Sequence, residues 1–230
     1  MILGLTGSLG SGKTTVSNIF RARGVPVVDA DEISHAVTKP GAEGFAGIIH
    51  VFGKEYQTSS GALDRKKIAA KVFSDPEALE KLEDIVHPLV LREQKILLDK
   101  HRDKPLVVVS IPLMFEKNLD QDMDAILVVT ISEEERNRRL LKDRGMTQED
   151  IQRRLDFQMP QKTKVRKADY VIDNSGSIEE TRRKVHELMN ILISKEQHMP
   201  RKKTTEGTPG ENREEPMIEN TEKVKTTRRR

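Results

Sequence analysis

The segment GSLGSGKT, residues 7–14, stands between an apolar run, ILGLT, and a helix-forming sequence, KTTVSNIFRARG. It matches G-x-x-x-x-G-K-[ST], a pattern whose glycines let consecutive backbone N–H groups turn toward an anion. The helix that follows points the positive end of its dipole at the same place. A glycine-rich turn can match this pattern by chance, but the preceding strand and the following helix are the context that a P-loop requires. We therefore predict a loop that binds nucleotide phosphates.

The predicted ligands of this loop are ATP and Mg²⁺. In a P-loop the lysine, here Lys13, reaches the β- and γ-phosphates, and the hydroxyl of Thr14 can ligate the metal. Backbone N–H groups of the loop surround the remaining phosphate oxygens. The residues that we expect to contact ATP in the loop are Gly7, Gly10, Ser11, Gly12, Lys13, Thr14 and Thr15.

Two other classes of P-loop protein fit the sequence less well. A GTPase would carry an N-K-x-D motif to bind the base, and the chain has none. A motor or transporter ATPase usually has an apolar strand that ends in an acidic residue, whereas the run LVVVSIP has Ser110 at that point. These features favour a small-molecule kinase, in which water often completes the ligand shell of the metal.

Apolar runs along the chain predict a parallel sheet. After residues 2–6 they occupy residues 25–31, 105–112, 125–131 and 169–177. Continuous β-branched runs are typical of strands that helices cover on both faces. We predict a three-layer α/β fold of the P-loop kinase type over residues 1–197. It includes a helical insertion beside the sheet at about residues 32–100.

Local signals predict several helix ends. We expect breaks at Pro76 and Pro88, because proline interrupts the ladder of helical hydrogen bonds. In SEEERNRRLLKDRG, Ser132 and Glu135 have the spacing of a capping box. Thr147 is the predicted N-cap of the next helix.

The composition excludes several kinds of chemistry. The chain has 230 residues and no cysteine, so disulfides, cysteine-ligated zinc and a cysteine nucleophile are impossible. We identify neither a signal peptide nor an apolar run of about 18 residues that could span a membrane. We expect a cytoplasmic protein without membrane contacts.

The net charge of +3 comes from the last segment of the chain. Residues 198–230 contain nine Lys or Arg and six Glu, so residues 1–197 carry equal numbers of basic and acidic side chains. The segment cannot bury enough apolar surface to offset its ordering entropy, and we expect disorder. Its basic clusters could bind nucleic acid or anionic lipid, but the interleaved glutamates weaken their field. An inert extension is therefore favoured over a nucleic-acid partner.

Two acidic residues, Asp29 and Asp31, follow the second predicted strand. Ligands of parallel α/β sheets bind beyond the carboxyl ends of the strands, where the P-loop also lies. A carboxylate there can orient an attacking hydroxyl or accept its proton. Either residue could instead cap a helix that begins in DADEIS. We favour the chemical role for Asp31 and the cap for Asp29.

Seven segments resemble the dephospho-CoA kinase family, in the order of that family and over about residues 1–190. They are GLTGSLGSGKTTV, VVDADEISH, GALDRKKIAAKVF, LEDIVHPLV, IPLMFE, RRLDFQM and DYVIDNSGSIEE. The P-loop alone is typical of a superfamily, whereas DAD, LDR, HPL, PLMFE and IDNSG together are far more specific. The resemblance implies ATP-dependent phosphorylation of the ribose 3′-hydroxyl of dephospho-CoA, the last step of CoA biosynthesis.

The resemblance also implies roles for residues that act on the acceptor. Asp31 would be the catalytic carboxylate, with Lys13 as the catalytic cation. Arg65 would meet an anionic part of the substrate, for which a planar guanidinium is suited. His87 would hydrogen-bond the substrate, and Glu116 would touch it or organise the site. The alternatives are a solvated helix charge for Arg65, a helix-end residue for His87 and a plain loop carboxylate for Glu116.

Further roles implied by the resemblance concern the nucleotide base. Asn174 to Gly176, in IDNSG, would lie against the adenine through backbone contacts. The alternative is that these residues only form a turn after a strand.

The resemblance implies that the helical insertion at about residues 32–100 binds the substrate and that about residues 132–167 form a lid over ATP. The basic stretch 136–167 of this lid would supply arginine to the transferring phosphoryl group. A typical family member has Arg-Asp-Gly where this chain has Asp143-Arg144-Gly145, which leaves the identity of that arginine open. Arg139 and Arg144 are the candidates for catalysis and Arg154 for a contact with substrate. Each could instead be a solvated helix charge.

Two other functions stay open at this point. The nearer is another small-molecule or nucleoside kinase. The more distant is a P-loop protein that uses ATP only to bind nucleic acid or to switch between states. The missing N-K-x-D motif and the missing strand-end acid count against the second. The sequence leaves the oligomeric state undetermined.

Overall fold

A computed structural model describes residues 1–198 of the chain. The predicted disordered tail lies outside the described residues except for His198, which ends the last helix. None of the helices within residues 1–198 combines the length and the apolar character needed to cross a bilayer.

Five strands form one sheet within the described residues. They are β1 (Ile2–Gly7), β2 (Val27–Asp29), β3 (Val107–Ser110), β4 (Ala125–Thr130) and β5 (Tyr170–Asp173). Their order is β2-β3-β1-β4-β5, and every neighbouring pair is parallel. The predicted α/β fold with a parallel sheet is confirmed. Because β1 is central, the loop after it lies in the middle of the sheet's carboxyl edge.

Nine α-helices connect and cover these strands in the same part of the chain. They are α1 (Lys13–Ala22), α2 (Ala30–Val37), α3 (Glu43–Phe52), α4 (Arg65–Ser74), α5 (Pro76–Lys100), α6 (Glu133–Asn137), α7 (Gln148–Asp156), α8 (Gln161–Lys167) and α9 (Ile178–His198). A π-helical turn, Arg138–Asp143, continues α6.

Helices pack on both faces of the sheet because each strand directs its side chains alternately to two cores. Leu3 and Leu5 of β1 point into a core that is completed by α1 and α9. Val107 and Val109 of β3 point the other way, into a core with α2, α5 and α8. This arrangement explains why the middle strands are apolar on both faces.

The segment predicted as a helical insertion contains α2 to α5. Within it, α3, α4 and α5 enclose a small separate core that includes Ile48, Ile68 and Val72. Helix α5 packs against α2, α3 and α4, and its Leu97 joins the core beneath the sheet. This long helix therefore connects the insertion to the sheet, while the role of the insertion in substrate binding stays a prediction.

The two prolines of α5 behave differently. Pro76 is the first residue of the helix, with Asp75 as its N-cap, as the predicted break requires. The predicted break at Pro88 is wrong, because α5 continues through it to Lys100. Packing against three other helices offsets the hydrogen bond that a proline removes from the helix interior.

The capping box at the start of α6 is only half formed. The Ser132 hydroxyl accepts a hydrogen bond from the N–H of Glu135 at 3.2 Å. The return bond is absent in this part of the chain, because the Glu135 carboxylate pairs with Arg138 and Arg139 and the Ser132 N–H donates to Ser175. Thr147 caps α7 as predicted.

Candidate active site

The loop between β1 and α1 has the geometry of an anion-binding nest. Gly10 and Gly12 have φ of +77° and +89°, a region that residues with a Cβ rarely adopt. A Cβ on Gly12 would also overlap the side-chain amide of Asn174. Gly12 is the N-cap of α1 and has no side chain with which to bond the first N–H groups of the helix. These groups are therefore available to an anion.

The ammonium of Lys13 lies inside this loop. Its Nζ donates a hydrogen bond to the carbonyl oxygen of Gly7 at 2.9 Å. Burial and the nearby ammonium of Lys164 lower the pKa of Lys13 to about 8, against the opposite effect of nearby carboxylates, chiefly that of Asp31. A bound phosphate would compensate both unfavourable effects.

Asp29 and Asp31 have different roles at the start of α2. Oδ1 of Asp29 accepts hydrogen bonds from the N–H groups of Asp31 at 3.0 Å and Glu32 at 3.2 Å, so Asp29 is the N-cap. The alternative in which Asp31 caps the helix is wrong, because Asp31 lies inside the first turn. Desolvation by the surrounding protein and the negative charge of Asp29 raise the pKa of Asp31, although the residue is solvent-exposed. This carboxyl group is therefore available for chemistry.

β3 separates the tip of β1 from the tip of β2. Asp29 pairs with Ser110 of β3, and β3 pairs in turn with β1. Neighbouring strands are about 4.8 Å apart, which places the two tips about 10 Å apart. A phosphoryl group and a hydroxyl fit between the two tips. Lys13 and Asp31 are also close enough for each to influence the pKa of the other.

The loop after β3 brings Glu116 to the same edge of the sheet. Its Oε1 accepts a hydrogen bond from the N–H of Met159 at 2.6 Å and pairs with Nζ of Lys164 at 2.9 Å. The Lys164 side chain is fully buried, and that of Glu116 is 15% exposed. The alternative of a plain loop carboxylate is wrong for Glu116, since it forms a buried ion pair.

A cavity of about 460 Å³ lies between α2, α3, α4 and α5. Its walls are mostly apolar, and Arg65 and His87 both line it. Arg65 donates a hydrogen bond from Nη2 to the hydroxyl of Thr38 at 2.8 Å. His87 lies in the middle of α5, so the helix-end alternative is wrong for it. The fold thus brings two predicted substrate contacts to one cavity.

Asn174 supports the P-loop through its side chain. Nδ2 donates to the carbonyl oxygen of Ser11 at 2.7 Å, and Oδ1 accepts from the hydroxyl of Thr181 at 2.7 Å. The Asn174 carbonyl oxygen accepts a hydrogen bond from Arg139 at 2.8 Å. Gly176, at the other end of the predicted adenine contact, is exposed. A contact of these residues with adenine stays a prediction.

Comparison with known proteins identifies the family. A family profile described as dephospho-CoA kinase matches residues 1–180. The chain belongs to the dephospho-CoA kinase family. This confirms the predicted resemblance and, at the level of the family, the prediction of an ATP-dependent phosphotransferase.

Individual relatives cover most of the chain. The dephospho-CoA kinase of Syntrophotalea carbinolica is 40% identical over 195 residues, which are 84% of this chain and 92% of that protein. That of Geobacillus kaustophilus is 41% identical over 189 residues, 80% of this chain and 93% of that protein. A crystal structure from Thermus thermophilus has a TM-score of 0.73 and 36% identity, and the match covers 84% of this chain and 97% of that one.

The three arginines predicted for the lid differ in their surroundings. Arg139 is partly buried and bonds both Glu135 and Asn174. Arg144 and Arg154 are exposed, and their side chains form no hydrogen bond or ion pair with other parts of residues 1–198. Of the three, the structure places Arg139 against the P-loop's supporting residues.

The π-helical turn changes the direction of Arg144. Its N–H donates to the carbonyl oxygen of Arg139, five residues earlier, at 3.2 Å. Five residues complete little more than one π-helical turn, so Arg144 lies nearer to the face of Arg139 than it would in an α-helix.

Sequence reasoning missed Arg136 and Lys164. Arg136 packs against Gly10, and its Nε is buried without a hydrogen-bond partner among the described residues. Lys164 stands in QKTKVRK, which reads as a solvated basic helix. No pattern in the sequence distinguishes Lys164 from the other basic residues of α8, although its neighbour Val165 packs against the core beneath the sheet.

Thr14 is the residue predicted to ligate Mg²⁺. It is exposed in the first turn of α1, beside Lys13. Residues 1–198 contain no group of three or more His, Asp or Glu side chains that could hold a metal. A magnesium ion here would take most of its ligands from phosphate and water, as is usual in nucleotide sites, and the residues present fit that mode.

Proposed function

We propose that the chain transfers the γ-phosphoryl group of ATP to the 3′-hydroxyl of dephospho-CoA and so forms CoA. Membership of the dephospho-CoA kinase family supports this reaction. The observation that carries the proposal is the position of Lys13 and Asp31 on either side of the β3 tip, with the cavity of Arg65 and His87 beside α2. A phosphate donor and a hydroxyl acceptor can meet there.

The P-loop holds the triphosphate in this proposal. Backbone N–H groups from Gly7 to Thr15, together with the ammonium of Lys13, surround the β- and γ-phosphates. Thr14 supplies the protein's ligand to Mg²⁺, which neutralises phosphate charge when it is bound. The adenine lies against the segment from Asn174 to Gly176.

The cavity between α2 and α5 suits the chemistry of the acceptor. Dephospho-CoA carries a long, weakly polar pantetheine arm and a charged diphosphate. Apolar walls accept the arm, as in most small-molecule sites. Arg65 binds an anionic group with its planar guanidinium, and His87 supplies a hydrogen bond from α5. Glu116 and Arg154 are the proposed contacts on the lid side.

Asp31 acts on the attacking hydroxyl. Its raised pKa makes it a better proton acceptor than an ordinary aspartate, and its carboxylate orients the hydroxyl by accepting a hydrogen bond. Holding the hydroxyl in line with the γ-phosphorus is the main contribution that the protein makes to such a transfer. Lys13 and Arg139 stabilise the charge that moves onto the leaving ADP, and Arg144 is the second candidate for that role.

The proposal includes a cytoplasmic location, where ATP is available, and small molecules as the ligands of the chain. It requires no membrane and no nucleic acid. Fractionation of cells that express the tagged full chain tests the location.

ADP production with and without dephospho-CoA tests the proposed function. We expect ADP release that depends on dephospho-CoA, together with a new phosphate monoester at the ribose 3′ position in the ³¹P NMR spectrum of the product. A panel of nucleosides and a nucleic-acid mixture serve as alternative acceptors and activators. ADP release that is the same with and without dephospho-CoA would contradict the proposal. So would ADP release that increases only with members of this panel.

A further inference from the structure

The carboxylate of Glu116 is bound through one oxygen only. Oε1 takes both donors, the N–H of Met159 at 2.6 Å and Nζ of Lys164 at 2.9 Å. Oε2 is buried and has no hydrogen-bond partner within the described residues. A buried acceptor without a donor is costly, and such groups in native structures call for an explanation. One explanation is that a bound ligand at this edge of the sheet supplies the hydrogen-bond donor for Oε2.

Lys164 fixes this asymmetric arrangement. Its side chain is 0% exposed, and Nζ also donates to the carbonyl oxygen of Pro112 at 3.2 Å. The same carbonyl accepts a hydrogen bond from the hydroxyl of Thr6, directly before the P-loop, at 3.1 Å. One buried ammonium thus connects α8, the loop after β3 and the end of β1.

The pair is placed where an acceptor would arrive. The neighbour of Glu116 in the chain, Lys117, lines the apolar cavity described above and pairs there with Glu83 at 2.7 Å. On its other side, Glu116 is close enough to Lys13 to influence the pKa of that lysine. Glu116 therefore stands between the cavity and the P-loop.

A contribution to the stability of the fold does not by itself explain this buried ion pair. The desolvation of two buried charges offsets much of their attraction, and an apolar pair of similar volume is often as stable or more stable. A buried ion pair beside a reaction site, with one carboxylate oxygen unused, is better explained by what the unused oxygen does.

We propose that Lys164 is a positioning residue, which holds Glu116 by Oε1 so that Oε2 stays available to an O–H group of the bound acceptor. The sugar hydroxyls of a nucleotide-like acceptor are donors of this kind. Lys164 acts on the bound acceptor only through Glu116 and does not itself touch it. The inference rests on the proposed function in that the acceptor must carry a hydroxyl near the P-loop.

Four variants of the full chain test this. Lys164→Met and Glu116→Gln should share one kinetic signature: kcat/KM for the acceptor falls roughly 10- to 100-fold while KM for ATP stays near the wild-type value. Lys164→Arg keeps the charge and should recover part of the loss. Lys162→Met changes an exposed lysine of the same helix and should alter neither constant.

The double variant Lys164→Met/Glu116→Met separates positioning from folding. Two apolar side chains should restore Tm to near the wild-type value, while kcat/KM for the acceptor stays low because no carboxylate is left. If Lys164→Met alone does not fold, the double variant still tests the inference. Recovery of both Tm and kcat/KM would overturn the inference, and so would losses that add when Lys164→Met and Glu116→Gln are combined.

Failure of the proposed function gives a different result. In that case the wild-type chain does not phosphorylate dephospho-CoA at all, whereas failure of the inference leaves wild-type turnover intact. The same variants are then compared on whichever acceptor of the panel the wild type uses, and the pattern of Tm and kcat/KM decides the inference there.

Discussion

The ammonium of Lys13 lies 2.9 Å from the carbonyl oxygen of Gly7, so the lysine at the end of the P-loop is hydrogen-bonded to the residue at its beginning. This bond keeps the ammonium in the space that the loop encloses. Its pKa responds to Asp31 across the tip of β3. The proposed nucleotide side and the proposed acceptor side are therefore electrostatically coupled.

Lys13→Ala should abolish phosphoryl transfer and leave the fold intact, because the side chain bonds only one loop carbonyl and its removal relieves a buried charge. ADP release and thermal unfolding measure the two effects. A variant that still turns over would contradict the role of Lys13.

The lowered pKa of Lys13 predicts a pH-dependent affinity for nucleotide. The protonated form attracts phosphate, and above about pH 8 a growing fraction of the free enzyme carries neutral Lys13. The affinity for ATP should therefore fall as pH rises beyond this point, approaching about tenfold per pH unit. Lys13→Arg stays charged and should show no such decline. Calorimetric titration of both proteins across this range checks the prediction, and parallel curves would refute it.

Asp31→Asn should retain ATP binding and lose most turnover, by roughly 10²- to 10⁴-fold, because the amide cannot accept the proton of the hydroxyl. Its neighbour Asp29 is the matched control: Asp29→Asn keeps a capping oxygen and should keep most activity. Nucleotide binding is measured by calorimetry and turnover by product formation. Normal turnover in Asp31→Asn would remove this residue from the mechanism.

Gly12→Ala should prevent nucleotide binding for two reasons. Gly12 has a left-handed backbone conformation that residues with a Cβ rarely adopt, and a Cβ there would overlap the side-chain amide of Asn174. Gly24 also has a left-handed φ, +77°, but a Cβ on Gly24 would stand in open space. Gly24→Ala should cost only about 1 kcal/mol of stability and leave binding unchanged. Equal nucleotide affinities in the two variants would show that the close approach at Gly12 is unimportant.

Asn174→Ala should weaken nucleotide binding although Asn174 is proposed to meet the adenine only through its backbone. The side chain donates to the carbonyl oxygen of Ser11, and its loss leaves this buried acceptor without that donor at a cost of roughly 1–3 kcal/mol. Asn190→Ala, on the exposed face of α9, is the control. Calorimetric titration with ATP gives the affinity and unfolding in denaturant gives the stability. Unchanged values of both for Asn174→Ala would argue against the support role.

The features that the sequence predicted correctly have local signals. The P-loop, the strands and the cap at Thr147 depend on residue types at fixed short spacing, so they can be identified without the fold. The break predicted at Pro88 failed because packing against neighbouring helices outweighs a local preference. The return bond of the capping box at Ser132 did not form because two arginines pair with its glutamate.

Lys164 shows why part of the site was beyond prediction. Its partner Glu116 lies in another segment, and only the strand order and the docking of α8 bring the two side chains together. In the sequence it is one of several basic residues in a short helix. Which of them is buried depends on the core against which that helix packs.

The most direct test of the account compares dephospho-CoA with its 3′-deoxy analogue as acceptors for the wild-type chain. If an ATP phosphate on the P-loop faces a ribose hydroxyl held at Asp31, the first acceptor gives ADP and CoA in equal amounts. The second then gives ADP only at the level seen without acceptor. Equal ADP release with both acceptors would contradict the account.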